Sequence, residues 1–423
     1  MRGSRRVLVP ALVMGALLLA GGRAEAQKLP EGNSCIECHR GIGDPRVTPP
    51  AEKFPQDIHL AKGILCQDCH GGDPTNFDPQ GAMNRAKGFI GKPRHQAIPQ
   101  LCGRCHSDAA YMKRFNPTIR VDQVQEYFSS VHGKRLRAGD QKVATCISCH
   151  DVHKIRAIKD QQAWTYPVKV VETCGRCHGD AKYMQGYKIA TDVVDKYKQS
   201  VHYEALTKKG DLSAPTCNVC HGNHGATPPG VDSVANVCGT CHSLTAEFFN
   251  QSPHKKAFAA MGLVPCVTCH NNHDVMKPSD TMVGTDEKAV CVNCHDPASA
   301  GYQKAAAMRA SLDELRGAVQ RAAAILDRAE HAGMEVSQPK FELRGATDAL
   351  LKTRATVHQF DPAPIRKLSE EGVQIAGKAY EKGVKAMDDL RFRHRGLWVS
   401  VGIILVALAG LVLKIREIDQ RGG

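Results

Sequence analysis

Apolar positions are spread unevenly over these 423 residues. Two nearly continuous apolar runs stand at the ends, Val7 to Leu19 and Leu397 to Leu413. From Gly301 to about Arg393 apolar residues fall into helical step. Met308, Leu312, Leu315, Val319, Ala322 and Leu326 form one narrow stripe, the signature of an amphipathic helix. A break near Gly333 and Pro339 precedes a second helix, Phe341 to Phe360, with Leu343, Thr347, Leu350, Leu351 and Val357 predicted inward. Asp361-Pro362 ends it, and a third helix is expected from Ala363 through Leu390. Residues 301–394 therefore read as a helical hairpin or three-helix bundle. Between 27 and 300 apolar period is weak, and Gly and Pro are frequent.

The end runs set the expected topology. Arg2, Arg5 and Arg6 precede the first run and Ala24-Glu25-Ala26 follows it, the layout of a secretory signal peptide over 1–26. An uncleaved N-terminal anchor is the other reading. Leu397 to Leu413 carries no charge and lies between Arg395 and Lys414, with Trp398 at an interfacial place. It predicts a transmembrane helix over 395–414 and a tail, 415–423. Basic residues flank both ends, so charge does not orient the helix. Export of the preceding domain would leave the tail on the cytoplasmic side.

The chemistry lies in the aperiodic middle. Cys-x-x-Cys-His occurs nine times and uses all 18 cysteines. The pairs are Cys35 and Cys38, Cys66 and Cys69, Cys102 and Cys105, Cys146 and Cys149, and Cys174 and Cys177, then Cys217 and Cys220, Cys238 and Cys241, Cys266 and Cys269, and Cys291 and Cys294. The histidines that follow are His39, His70, His106, His150, His178, His221, His242, His270 and His295. This is the attachment motif of haem c: two thiols add to the vinyl groups and the histidine sits beneath the iron. Zinc sites do not ask for His after every second Cys. A thioredoxin-like CxxC belongs once in a βαβ context, and a disulfide framework would not keep one spacing throughout. Nine covalent haems and 27–300 as their domain are the expectation. The 5% aromatic content suits a core made of porphyrin, and the net charge of +13 is offset by two propionates per haem, so no nucleic-acid partner is implied.

Three units repeat within that domain. Each has Ser-x-His, a first motif, a histidine three residues on, and a second motif. The spare histidines are His132 and His153, His202 and His224, and His254 and His273. A looser leading unit offers His59 and His95, and the site at Cys35 stands alone. Histidine is a preferred iron ligand, so these eight are candidate distal ligands. A histidine three residues past a proximal one cannot reach the far face of its own haem, so it must serve a neighbour. The solitary site at His39 has no spare histidine nearby, and His358, in the helical region, is the candidate ninth ligand, with His331 and His394 behind it. Met112 and Met184 beside the second motifs read as packing. A short helix is expected to start near each second motif, and Val121, Val124, Tyr127 and Phe128 suggest another leading to the spare histidine.

These Ser-x-His…CxxCH-x-x-His repeats resemble multihaem cytochromes c over about residues 35 to 295. The resemblance implies a mainly α fold with much irregular loop and little sheet, followed by the bundle and one transmembrane helix. It implies electron transfer along stacked haems, between a quinol-oxidising or cytochrome b type membrane partner and periplasmic redox proteins. The site would be the outer face of the cytoplasmic membrane. Enzymatic relatives of this architecture, the pentahaem nitrite reductases and octahaem hydroxylamine oxidoreductases, supply the alternative: a reductase or oxidase of a nitrogen or sulfur oxyanion with one five-coordinate haem. The chain departs from the former, since every motif ends in His and none in Lys. No tyrosine matches the crosslink of the latter.

Overall fold

A computed structural model describes residues 27–228 and 230–421. The expected signal peptide, 1–26, lies outside the described residues. Helices and irregular loop make up the described chain, and no strand occurs among the described residues.

Two compact units divide the protein, one running to Arg176 and adding His224–Ala226, the other taking Cys177–Asn223 and everything from Thr227 on. The sequence suggests a boundary at residue 300. Compactness divides the chain inside the fifth motif, and the last motifs pack in the same unit as the long helices.

Ahead of the bundle the helices are short, and two of them end where the chemistry requires. Ile98–His106 and Pro167–His178 each carry a CxxCH motif as their last turn. They lead into the motif, because Pro99 and Pro167 occupy a first turn, where a missing N–H costs nothing, and the helix expected to start near a second motif follows it at Ala109–Met112 and Ser243–Gln251. Gln123–Ser129 runs toward Ser130-Val131-His132; it buries Tyr127 but begins after Val121. Met112 is buried among side chains, as is Met184 in the other unit.

The second unit ends in a three-helix bundle. Ala300–His331 buries Met308, Leu312, Leu315, Ala322 and Leu326 from the expected stripe, with Ala305, Ala318, Ile325 and Ala329 beside them. Ser337–Thr356 starts with Pro339 in its first turn and buries Leu343, Ala346, Ala349, Leu350 and Thr353. Thr347 and Leu351, expected inward, are exposed, since the contact face is the one of small residues. A turn at Val357–Gln359 and left-handed Phe360 (φ 55°) close the corner.

The third helix, Pro362–Arg421, is continuous for 60 residues. It does not stop near Leu390, because Gly396 alone is too weak a breaker at about 1 kcal/mol. Its first half is a packing face and its last part is apolar and fully exposed, long and apolar enough to cross a membrane. Gly372, Ala376, Ala379 and Gly383 let it approach the first two helices closely. A Cβ on Gly372 would meet Leu315 Cδ1 at 2.6 Å and Ala349 Cβ at 2.9 Å. Gly372→Val is therefore expected to destabilise the bundle by about 1–3 kcal/mol. Gly377, with nothing within 4 Å, should tolerate Ala with a gain of up to about 1 kcal/mol, both read from the bundle's thermal midpoint.

The bundle is tied to the loop between the eighth and ninth motifs by Asp280, 8% exposed. Arg354 donates to it twice, at 2.8 and 2.9 Å, and Arg316 once, at 3.2 Å. The Arg354 hydrogen bond holds the Asp280 carboxyl below its ordinary value against the opposing effect of burial. A buried carboxylate so paired is costly to break from one side.

Candidate haem-binding sites

Each site starts from local helix geometry. Cys66–His70, Cys146–His150 and Cys217–His221 are single short helices. Residues three apart share a helix face, so both thiols of a motif point the same way. After the proximal histidine the chain turns sharply through a positive φ, at Gly71, Asp151, Gly222 and Asn271. Asp151 (φ 68°, ψ −177°) and Asn271 (φ 60°, ψ −178°) adopt a conformation that is essentially glycine's, a local strain of about 1–3 kcal/mol each. That turn throws the trailing histidine away from its own motif.

Where it goes is visible in the ring geometry. An imidazole nitrogen binds a transition metal at about 2.0 Å, with the ring centre roughly 1.1 Å beyond, so two histidines on opposite faces of one metal have centres about 6 Å apart. Within the first unit, His70 faces His153 at 6.0 Å, His150 faces His224 at 6.1 Å and His106 faces His59 at 6.1 Å. Within the second, His221 faces His273 at 5.9 Å, His242 faces His202 at 6.5 Å, His295 faces His254 at 5.9 Å and His270 faces His358 at 6.1 Å. The donor set therefore fits haem iron bound by two histidines, with two thiols alongside.

The pairs follow a rule. A trailing histidine faces the first motif of the unit before its own, with nearly parallel rings: 19° for His153, 7° for His224 and 18° for His273. His59, His202 and His254 face the second motif of their own unit, at 83°, 40° and 85°. His358, at 25°, joins the parallel group and stands where a further repeat would have put its trailing histidine. The sequence associates His358 with the solitary site at His39; the structure places it against His270 instead.

Hydrogen bonds hold several rings by Nδ1, which leaves Nε2 for a metal. His70 Nδ1 donates to the Gly91 carbonyl at 2.9 Å, His358 Nδ1 to the Ala355 carbonyl at 3.0 Å, and His59 Nδ1 to Asp57 Oδ1 at 2.8 Å. His95 is different: its Nε2 donates to the Val143 carbonyl at 2.8 Å. His132 and His178 belong to different compact units. Burial pushes His39, His106, His153, His178, His221, His224 and His270 below the ordinary histidine value, and His150 down to about 4. The same holds for His202, His254, His273 and His358. Neutral imidazole is the ligating form.

Successive motifs are neighbours. In the first unit the Cys102 and Cys146 thiols hydrogen-bond, raising Cys102 and lowering Cys146, and the Cys35 and Cys66 thiols interact, as do Cys69 and Cys102. In the second unit the Cys238 and Cys266 thiols hydrogen-bond, while Cys220 neighbours Cys238 and Cys269 neighbours Cys291. His178 likewise acts on His221. The sites thus form a row in chain order within each unit.

Three kinds of support, the first of them a pair of tyrosines, are not spelled by the motif pattern. Tyr127 and Tyr197 donate their hydroxyls to the Ala144 and Pro215 carbonyls, both at 2.8 Å, fixing the approach to the motifs at Cys146 and Cys217. The signal was there, since each precedes the unit's Ser by three residues. Phe360 lies 3.9 Å from the His254 ring. Asp57 is the third.

Residues 255–300, which contain the last two motifs, match the doubled CXXCH motif family. Over 213 residues the chain is 22% identical to the C-type polyheme cytochrome OmcC of Geobacter sulfurreducens, covering 44% of this chain and 26% of that protein. The chain thus spans about a quarter of the length of this curated relative. No solved structure matches.

Proposed function

Since this chain is a multihaem c-type cytochrome, we propose that it is a membrane-anchored relay carrying nine covalent haems, which passes electrons between a quinol-linked membrane partner and redox proteins outside the cytoplasm. The observation that carries the reading is the row of facing histidine pairs, each closed on both sides by the chain's own ligands. Haem supplies one-electron chemistry when bound. The protein's part is to attach it, to choose both axial ligands and to set the potential through burial and hydrogen bonds. The nine CxxCH histidines would be proximal ligands, and His59, His132, His153, His202, His224, His254, His273 and His358 distal ones. Closed coordination at most sites favours transfer over substrate chemistry.

The exposed apolar part of Pro362–Arg421 is the proposed anchor, with the row of sites on the outer side. His358 and Asp280 would then bind the anchor's own bundle to the last two sites, which makes these the nearest in sequence to a membrane partner.

Full-length protein and a form ending before Leu397 are compared after expression with haem-attachment machinery. Both should carry close to nine haems per chain by pyridine haemochrome, the first in the membrane fraction and the second soluble outside the cytoplasm. Six haems or fewer would reject several sites. A truncated form that stays in the membrane would move the anchor to the N-terminal segment. The alternative, an oxyanion reductase, has one observation in its favour: Val143 engages the His95 nitrogen that would otherwise serve iron. It requires a high-spin ferric haem that binds cyanide or nitrite in the unaltered protein.

A further inference from the structure

The repeat has one substitution that changes its chemistry. Three units begin Ser-x-His, at Ser130, Ser200 and Ser252. The leading unit reads Asp57-Ile58-His59 at the same place. The serines are neutral structural groups. Ser130 and Ser200 accept from the N–H groups of Gly133 and Tyr203 at 3.1 Å and so cap the following helix. Ser252 donates to the Phe249 carbonyl at 2.7 Å. Asp57 has another role. It is 1% exposed, and its Oδ1 takes both the His59 N–H, at 2.9 Å, and His59 Nδ1, at 2.8 Å. Its Oδ2 takes the Ile155 N–H at 2.7 Å.

We propose that Asp57 is a tuning residue that acts through His59 to make the site of Cys102, Cys105 and His106 a low-potential member of the row. This rests on the reading of His59 and His106 as an axial pair. A carboxylate on the far nitrogen of a ligating imidazole makes that imidazole more basic and electron-rich. Such a ligand stabilises ferric over ferrous iron, and ligand hydrogen bonding is a main lever on cytochrome potential. Burial strengthens the effect by keeping water from screening the charge. The amide donors on Asp57 orient the carboxylate without cancelling its charge. Asp57 also acts on His153, which faces His70, so the neighbouring site feels the same charge more weakly. The two sites beside Asp57 are then the last in their row to accept an electron.

At the other end of the scale stands His254. Its Nδ1 is buried and has no hydrogen-bond partner, and the ring beside it is Phe360 at 3.9 Å. Nothing there enriches the imidazole, so the site of Cys291, Cys294 and His295 takes the opposite position.

The test is a redox titration of holo-protein followed by electron paramagnetic resonance. Asp57→Asn keeps the shape and the Nδ1 acceptor but removes the charge. One low-spin population should become easier to reduce by about tenfold in its equilibrium constant, about 59 mV for one electron, and a second by less. Haem content and low-spin count should not change. Full haem load with unshifted potentials overturns the proposal. If Asp57→Asn accumulates without full haem, Ser252→Asp decides. Ser252 makes no side-chain cap bond to Pro253–Met261, so the change gives up only its hydroxyl's bond to the Phe249 carbonyl; aspartate is itself a favoured residue at a helix start, and the new carboxylate stands two residues before His254. One haem should become about tenfold harder to reduce, and no shift there overturns the proposal. A His59→Ala protein in which every haem stays low-spin would instead refute the axial pair beneath it.

Discussion

Chain made without haem attachment should lose nearly all helix before residue 300 and keep the bundle. The reason is the distribution of buried apolar surface. In the haem-binding stretch the largest cluster is Tyr127, Leu136 and Val143 with Phe128 at its edge. Its α-helices run from four to 12 residues. Isolated helices shorter than about 12–15 residues are marginal in water, and small domains without a core need metal or covalent staples. The ligands of each site come from distant parts of the chain, so closing them costs loop entropy that only metal binding offsets. The bundle is different: Ala318, Ala322, Ile325, Leu326, Ala329, Leu343, Ala346, Ala376 and Ala379 form one cluster among three long helices. Circular dichroism of the haem-free chain should show the bundle's helices alone. Brief proteolysis should leave a resistant fragment starting near Ala300. Protection of residues 98–178 in that sample would mean that side chains alone fold the stretch.

The same contrast explains what could be read in advance. CxxCH spacing is local chemistry, so the nine motifs needed no fold. The stripe from Met308 to Leu326 obeys a 3.6-residue period, and all but Val319 of it is buried. Hydropathy places Leu351 inward as readily as Leu350 beside it. The choice between them fell to Ala346, Ala349 and Thr353, small residues whose worth is close approach to a helix of Gly and Ala. The target of each trailing histidine was also hidden. Its inability to serve its own site follows from spacing, but facing the first motif of the preceding unit depends on how the repeats stack. Asp57 is hidden in the sequence because Asp-Ile-His does not spell Ser-Val-His, although it occupies that place.

His358→Ala should convert one low-spin haem to high-spin and leave the other sites as they were. The His358 ring faces His270 at 6.1 Å, with Nδ1 held by the Ala355 carbonyl and Nε2 left toward the site. Alanine has no ligand to offer, and the rotation needed to bring another histidine there is blocked by the corner itself. Val357 packs into the clusters around Leu312 and Met308, and the Phe360 ring lies tilted against His254. Because the lost pair is a near-parallel one, the resonance that disappears should belong to the rhombic low-spin signals given by parallel axial rings, not to the strongly anisotropic ones given by crossed rings. The new high-spin haem should bind cyanide, which the closed site would resist. Stability of the bundle should hardly change, since Asp280 with Arg354 and Arg316 keeps it on the loop between the last motifs. Pairing His358→Ala with Asp280→Ala leaves only the Phe360–His254 contact and the bonds of Arg309 to the Asp280 and Val283 carbonyls, and protease should then cleave the bundle from the haem domain near residues 296–300 faster than in either single variant. An unchanged spin count in His358→Ala would return His358 to a packing role and leave the site at Cys266 to another ligand.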